Sequence, residues 1–137
     1  MTNIATPLDC REVFTITEEE TAAIQTGDIH RYLAILSADA AFLPPNTRAK
    51  TGEELRCWLA DFLNGVEIRD VRYAHGETLI RDDLATHEYT CSWAAAPRSG
   101  GTPASMAFKG LHLLRRGPDG AWKISRNIWN AEPAGSE

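Results

Sequence analysis

The spacing of apolar residues predicts helices in the first half of the chain. Two pairs of residues, Asp9 with Glu12 and Thr17 with Glu20, have the spacing of a capping box, so a first helix can begin at either pair. Gly27 is placed to end that helix. The start of the first helix therefore stays open, whereas its end is predicted at Gly27.

A second helix is predicted directly after Gly27. Asp28 is a suitable capping residue, and apolar side chains follow at i, i+3, i+4 and i+7, namely Ile29, Tyr32, Leu33 and Leu36. The spacing predicts an amphipathic helix that packs Tyr32 and its neighbours against a core.

A third helix has the strongest pattern in the chain. Thr51 and Glu54 have capping-box spacing, and Gly65 follows the last apolar position. The apolar stripe between them consists of Leu55, Trp58, Leu59, Phe62 and Leu63. We expect Leu55, Leu59, Phe62 and Leu63 to be buried against a sheet and Trp58, near one edge of the stripe, to line a cavity.

The rest of the chain has the alternating pattern of strands. The run "AAFLPPN", stopped by Pro44 and Pro45, is typical of an edge strand followed by a turn. After Gly65 the sequence predicts four strands, at about 66–80, 84–94, 104–116 and 121–130. Three helices followed by long antiparallel strands predict an α+β domain in which a curved sheet wraps around the helices.

Composition limits the class of protein. The 137 residues are 43% hydrophobic and 24% charged, which predicts one globular domain over 1–137. The net charge of −5 argues against a nucleic-acid partner. The first residues include no charged and apolar segment of the kind found in signal peptides or membrane anchors, so no membrane association and a cytoplasmic location are expected.

Cysteine and motif content point away from several kinds of chemistry. The three cysteines Cys10, Cys57 and Cys91 are widely spaced and match neither a disulfide framework nor a zinc site. No phosphate-binding glycine loop and no G-x-S-x-G motif is present. We expect no metal and no cofactor.

Pairing of the last two strands predicts which residues share a face. A tight "GPDG" hairpin that pairs Arg116 with Ala121 would give the cross-strand pairs His112 with Ser125, Gly110 with Asn127, and Phe108 with Trp129, all on one face. The opposite face would carry Leu111, Leu113, Trp122, Ile124, Arg126 and Ile128. Across the longer loop before this hairpin, His87 is expected opposite residue 111 or 112.

The sequence resembles the SnoaL-like, ketosteroid-isomerase-like branch of the nuclear-transport-factor-two-like superfamily. The resemblance covers about 9–132 and rests on "GD" before the second helix, the Asp39 to Pro45 strand, Gly52 opening the third helix, and "PDGAWKI…W" near the end. It implies a cone-shaped, cystatin-like α+β barrel with a mixed or antiparallel sheet around three N-terminal helices. It also implies a deep pocket and a homodimer.

The same resemblance implies positions for three isomerase residues, and each is changed here. The general-base Asp corresponds to Pro44, the oxyanion-binding Tyr to Glu20, and the protonated Asp to His112. Only His112 keeps a hydrogen-bond donor of the expected kind, so steroid isomerisation by the family mechanism is not expected.

The candidate site follows from these placements. His112 is the predicted donor or acid/base and Asn127 an orienting group, while ligand contacts are expected from Tyr32, Phe42, Trp58, His87, Phe108 and Trp129. Each also has a structural interpretation, such as hydrogen bonding inside the core. The run Glu18 to Glu20 is interpreted as a solvated helix face, and His30 and His75 as surface residues.

Three functions remain open at this point. The first is an enzyme of the cyclase, isomerase or dehydratase type acting on a small apolar carbonyl or hydroxyl compound. The second is a protein that binds a small apolar ligand without catalysis, and the third is an oligomerisation domain. A homodimer through the sheet is expected, formed largely by Leu111, Leu113, Ile124 and Ile128.

Overall fold

The computed structural model describes the backbone of residues 7–132 and the side chains of residues 10–132. The elements run in the order α1 (Pro7–Thr26), α2 (Ile29–Leu33), β1 (Leu36–Leu43), β2 (Lys50–Thr51), α3 (Gly52–Gly65), β3 (Val66–Arg81), β4 (Leu84–Pro97), β5 (Ala104–Arg116) and β6 (Trp122–Ala131). The predicted order of three helices and then long strands is confirmed.

The first two helices meet at a sharp turn. Gly27 has a φ of +69°, which is accessible to glycine without strain, and α1 ends before it. The helix begins at Pro7, ahead of both predicted starts, and the side chain of Asp9 lies outside the described residues. Asp28 caps α2 as predicted, because its carboxylate accepts a hydrogen bond of 3.0 Å from the backbone N–H of Arg31.

The second helix is shorter than predicted. It ends at Leu33, and Leu36 is the first residue of β1 instead of the last apolar position of a helix. The carbonyl of Ile35 accepts a hydrogen bond of 2.8 Å from the backbone N–H of Ile124. Because the backbone after Leu33 pairs with β6, Leu36 lies in a strand and the helix does not continue.

The third helix has the predicted bounds but not the predicted cap. Thr51 occupies the capping position without a side-chain hydrogen bond to the helix. Glu54 instead forms ion pairs with Arg48 and, at 3.8 Å, with Lys50. The capping-box prediction is thus wrong at the level of contacts.

The six strands form one mixed sheet in the order β2-β1-β6-β5-β4-β3. β1 runs parallel to β6, and the other neighbouring strands are antiparallel. The four strands predicted after Gly65 are present, with ends that differ by at most three residues. Helices α1, α2 and α3 contribute with the sheet to a single apolar core.

From Phe108 to Leu113 the pairing of β5 with β6 differs from the predicted register by two residues. His112 pairs with Asn127 and Gly110 with Trp129. Because side chains alternate with a period of two, this shift leaves the same side chains on the same face. The prediction that His112, Asn127 and Trp129 share a face is confirmed although their partners were wrong.

A β-bulge near the turn overturns part of the predicted outer face. The register shifts between Leu113 and Leu114, and Ser125 is the extra residue on β6. Ile124 and Trp122 consequently turn inward and are 0% and 2% exposed. Both had been expected on the outer face, and Ile124 cannot contribute to a subunit interface.

The described helices include none that is long and apolar enough to cross a membrane.

The packing of α3 against the sheet leads to a first prediction. Leu55, Leu59 and Leu63 are at most 3% exposed, whereas Phe62 is half-buried and faces a cavity. Leu59→Ala should lower the free energy of unfolding by about 2 to 5 kcal/mol, because it removes core contacts and leaves a void. Denaturant unfolding measures the change, with exposed Asp61→Ala as the matched control. A loss below about 0.5 kcal/mol, the range of surface substitutions, would contradict this packing.

Candidate functional site

A cavity of about 320 Å³ lies between the helices and the inner face of the sheet. Most of the side chains around it are apolar or aromatic. Its lining consists of Glu20, Ile24, Tyr32, Phe42, Pro44, Pro45, Thr47, Trp58, Leu59, Phe62, Tyr73, Tyr89, Cys91, Trp93, Met106, Phe108, Asn127 and Trp129. The polar groups among them mark the part of the cavity where chemistry can occur.

Glu20 places a carboxylate at this cavity while being only 1% exposed. The phenol of Tyr32 donates a hydrogen bond of 2.6 Å to Oε2, and that of Tyr73 donates one of 2.8 Å to Oε1. A buried carboxylate needs such partners because removal from water strongly disfavours an unpaired charge. The two phenols hold the carboxylate in one orientation.

His112 is a third partner of the Glu20 carboxylate and approaches it from outside the cavity lining. Its Nε2 lies 3.2 Å from Oε1 of Glu20, and both side chains are 1% exposed. Within the described part of the chain this nitrogen has no aligned hydrogen-bond partner, so its approach to Glu20 is a close polar contact and not a linear hydrogen bond. His112 does not line the cavity, and the expectation that its ring stands on the cavity wall is wrong.

The partners of Glu20 decide its charge. Burial alone would raise the pKa of Glu20, but the charge that His112 carries when protonated and the hydrogen bonds from Tyr32 and Tyr73 outweigh burial and hold the pKa below its usual value. Burial and the negative charge of Glu20 raise the pKa values of Tyr32 and Tyr73 well above those of free tyrosine. At neutral pH the arrangement is a carboxylate with two neutral phenol donors.

Cys91 on the same wall is kept as a thiol. Burial, and then the charge of Glu20, raise its pKa to about 12. Because the thiolate is the nucleophilic form, Cys91 is not activated for nucleophilic chemistry.

A second polar group is formed by Asn127 and Tyr89. The Tyr89 hydroxyl donates a hydrogen bond of 2.8 Å to Oδ1 of Asn127, and no hydrogen bond within the described residues engages Nδ2. Tyr89 reaches this position by lying over Gly110, where a Cβ would be 2.4 Å from the tyrosine oxygen. Because Gly110 has no side chain, Tyr89 can donate its hydrogen bond to Oδ1 of Asn127. Nδ2 of Asn127 is then available as a donor at the cavity.

The aromatic residues expected at a ligand site lie together. Tyr32, Phe42, Trp58, Phe108 and Trp129 all line the cavity. Trp129 contacts Phe42 edge to face at 5.9 Å between ring centroids and Trp58 at 6.1 Å.

The histidines are arranged differently from the expectation. His87 pairs with His112, one of the two partners predicted, and their Nδ1 atoms are 3.3 Å apart. His87 is fully buried and does not line the cavity. His75 is exposed as predicted, but its Nδ1 lies 2.8 Å from Nε2 of His87, so it is part of the same cluster.

The sequence interpretation missed Glu20, which was placed on a solvated helix face. The buried positions among the described side chains of α1 are Val13, Thr17, Glu20, Ala23 and Ile24, at a spacing that puts all five on one side of a helix. That pattern is visible in the sequence, and Glu20 is the acidic residue within it. Tyr73 and Tyr89 were also missed, because their strands alternate without marking the cavity face.

The described residues contain no group of three or more His, Cys, Asp or Glu side chains placed to hold a metal ion.

Sequence comparison matches the chain to no protein-family model and to no curated protein. Solved structures do match. A ketosteroid isomerase-like protein from Erwinia carotovora atroseptica is 21% identical, with a TM-score of 0.80 over 90% of this chain and 96% of that one. The fold is therefore that of the ketosteroid isomerase-like proteins.

Two further structures agree with this fold. A candidate dehydratase of the NTF2-like family from Streptomyces avermitilis is 16% identical, with a TM-score of 0.82 over 94% of this chain and all of that one. A protein with a cystatin-like fold from Nostoc punctiforme is 23% identical, with a TM-score of 0.67 over 98% and 97% of the two chains. The predicted α+β fold class is confirmed, and the fold is shared with NTF2-like proteins.

Two of the three positions that the resemblance assigned are in contact with each other. Pro44, where the resemblance implies a general base, lines the cavity without a titratable group. Glu20 and His112, assigned to the two oxyanion-binding positions, lie 3.2 Å apart. In this member of the fold the carboxylate of the cavity is carried by α1 instead of the end of β1.

The buried histidines lead to a prediction of acid lability. Burial, and then the charges of His112 and His75, lower the pKa of His87 to about 4, and burial lowers the pKa of His75. The folded state thus favours neutral imidazoles. Their contribution to stability is present above the unfolded-state pKa of about 6.5 and is lost as the pH falls towards 4.

We expect the free energy of unfolding to decrease over this interval, with His87 contributing up to about 3 kcal/mol. Denaturant unfolding at several pH values measures it, and His87→Gln should flatten the dependence while His30→Gln, at an exposed position, should not. A wild-type stability that is constant between pH 6.5 and pH 4 would contradict the prediction.

Proposed function

We propose that the protein binds a small, largely apolar ring compound carrying a carbonyl or hydroxyl group in the cavity, and that Glu20 transfers a proton on that compound. The supporting observation is that Glu20 is the one acidic side chain among the described lining residues of a mostly aromatic cavity. A volume of about 320 Å³ suits a small molecule. Reactions of the isomerase, dehydratase or cyclase type share such a proton transfer.

The proposed chemistry uses two groups. Glu20 removes a proton from the carbon beside the carbonyl, and the electron pair of the broken C–H bond passes into the enolate. The negative charge that develops on the oxygen is stabilised by a hydrogen bond from Nδ2 of Asn127, the donor that Tyr89 leaves available. Asn127 keeps its expected role, while His112 becomes a positioning residue because it contacts Glu20 and not the cavity.

The aromatic walls supply most of the binding energy in this proposal. Phe42, Trp58, Phe108 and Trp129 offer ring faces and edges to an apolar ligand. His87, expected among the ligand contacts, is excluded from that role by its position behind the wall.

One observation favours a second function, binding without catalysis. Three hydrogen-bonding or charged partners stabilise the carboxylate of Glu20 and hold its pKa below the usual value. A carboxylate stabilised in this way is a weaker base than a free one. In that case Glu20 would hydrogen-bond a ligand hydroxyl without removing a proton from carbon.

A test of the proton transfer uses 2-tetralone, an aromatic ring fused to a ketone, as the probe. With deuterium at the benzylic carbon beside the carbonyl, loss of deuterium to water reports removal of that deuteron. Glu20→Gln should slow the loss by about 100-fold or more, because the amide cannot accept the deuteron. NMR follows the loss, and quenching of tryptophan fluorescence follows binding.

Glu19→Gln is the matched control, since Glu19 is next to Glu20 in sequence but forms an exposed ion pair with Arg31. Binding of the probe without loss of deuterium above the buffer rate would favour the non-catalytic function. Absence of binding, or equal rates in wild type and Glu20→Gln, would contradict the proposed enzyme.

We also propose a homodimer through the outer face of the sheet. After the correction for Ile124, this face carries Leu111, Leu113 and Ile128, and Ile128 is 44% exposed. Adjacent apolar side chains on an exposed sheet face are typical of subunit interfaces.

Ile128→Lys should shift the protein from dimer to monomer, because it would bury two like charges across a two-fold interface. Light scattering at micromolar concentration measures the mass. Leu79→Lys is the control, since Leu79 is 52% exposed on β3 at the far edge of the sheet. A monomeric wild-type protein would rule out this dimer.

A further inference from the structure

Three histidines form a row that leads from the protein surface to Glu20. Nδ1 of His75 lies 2.8 Å from Nε2 of His87, and Nδ1 of His87 lies 3.3 Å from Nδ1 of His112. Nε2 of His112 lies 3.2 Å from Oε1 of Glu20. Each imidazole thus uses one nitrogen towards the surface and the other towards the carboxylate.

The row is a consequence of strand order. His75, His87 and His112 lie on β3, β4 and β5, which are neighbours in the sheet, and His87 and His112 are directly paired. The bulge between His75 and Thr78 sets the position of His75 relative to His87. The rings therefore lie side by side across three strands.

The two ends of the row have different surroundings. His87 and His112 are 0% exposed, and Thr17 of α1 approaches His87 with its hydroxyl 3.4 Å from Nδ1. His75 is exposed, stacks on Phe14 at 4.0 Å, and its Nε2 has no hydrogen bond within the described residues. The outer nitrogen of the row is thus available to water.

The protonation of the row suits a relay. Burial is the first cause that lowers the pKa values of His75 and His87, while the charge of Glu18 on α1 partly opposes it at His75. Both rings are therefore neutral near pH 7. A neutral imidazole has one donor and one acceptor, so each can take up a proton on one side and release one on the other.

The contacts also give the row a direction. In the state of the row in which Glu20 is a carboxylate and all three rings are neutral, the proton of His112 lies on Nε2 towards Glu20, that of His87 on Nδ1 towards His112, and that of His75 on Nδ1 towards His87. The bare Nε2 of His75 then faces solvent. In these tautomers each acceptor of the row lies next to one N–H donor.

We propose that this histidine row carries protons between the solvent and Glu20 by a route separate from the mouth of the cavity. In the inward direction a hydronium ion or buffer acid gives a proton to Nε2 of His75 as three protons move inward together: the Nδ1 proton of His75 to Nε2 of His87, the Nδ1 proton of His87 to Nδ1 of His112, and the Nε2 proton of His112 to Oε1 of Glu20. One proton enters, each ring stays neutral with its tautomer reversed, and Glu20 becomes a carboxylic acid. The outward direction is the reverse.

This inference rests on the proposed function for its use. A ligand in the cavity separates Glu20 from bulk water, so a carboxyl group that must change its protonation during turnover needs another route. Glu20 can donate the delivered proton to a ligand oxygen, take a different one from carbon, and return it along the row. Each ring is neutral before and after the sequence of steps.

The first experiment requires no ligand. Long-range proton–nitrogen correlation spectra of the whole protein near pH 7 should show the proton on Nδ1 in His75 and His87 and on Nε2 in His112. A proton on Nε2 of a neutral His87 with Nδ1 bare, together with Nε2–H on a neutral His112, would leave the two Nδ1 atoms without a donor and would overturn the relay.

The second experiment measures transport with deuterated 2-tetralone. His75→Ala, at an exposed position, should slow the loss of deuterium by about tenfold or more while the affinity for the probe stays unchanged. Imidazole added to the buffer should restore the rate, an effect that a structural role of His75 would not produce. His30→Ala, another exposed histidine, is the matched control.

The outcomes separate the two proposals. Loss of deuterium that depends on Glu20 but stays within twofold of wild type in His75→Ala would overturn the relay and leave the enzyme proposal standing. If the wild type binds the probe without removing deuterium, the enzyme proposal fails, and the tautomers alone decide whether the row is built to carry a proton inward.

Discussion

The site depends on one interaction, the stabilisation of the buried carboxylate of Glu20. An unpaired charge at this depth would cost several kcal/mol, and the fold provides three partners from three different elements. Tyr32 comes from α2, Tyr73 from β3 and His112 from β5. Each of these elements must be correctly placed against α1 for the carboxylate to remain ionised, so the site and the packing of the helices on the sheet are coupled.

Local irregularities of the sheet place the remaining groups. The extra residue Ser125 lets Ile124 join the core on one side of the bulge while Asn127 faces the cavity on the other. Gly110 leaves the space in which Tyr89 crosses to Asn127. A regular hairpin with a side chain at every position would have neither arrangement. The position of the Asn127 amide at the cavity thus depends on the extra residue Ser125 and on the absence of a side chain at Gly110.

Much of the fold was predictable because it is recorded in periodic patterns. The bounds of α3, the turn at Gly27 and the four long strands all follow from apolar spacing and turn residues. Contacts that depend on distant segments were not predictable in the same way. Leu36 lies in a strand because it pairs with Ile124 of β6. Thr51 makes no capping hydrogen bond with its side chain, and Glu54 forms an ion pair with Arg48 instead of completing a capping box.

The candidate site was predicted in part for the same reason. The alternation of β5 and β6 correctly placed Asn127 and Trp129 on one face, because an error of two residues in register does not change the side of a side chain. Glu20 was missed because its two glutamate neighbours suggested a solvated face. Its place on the stripe with Val13 and Ile24 was the better signal, and only packing shows that Tyr32 is close enough to stabilise a charge there.

The central claim is that Glu20 is a buried carboxylate at neutral pH, stabilised by its three partners. The most direct measurement is the pH titration of its side-chain carboxyl carbon by NMR, assigned by comparison with the spectrum of Glu20→Gln. We expect a signal of an ionised carboxylate at pH 7 and a midpoint below the usual range for glutamate. A carboxyl group that is protonated at pH 7, as burial without sufficient partners would produce, would contradict the account.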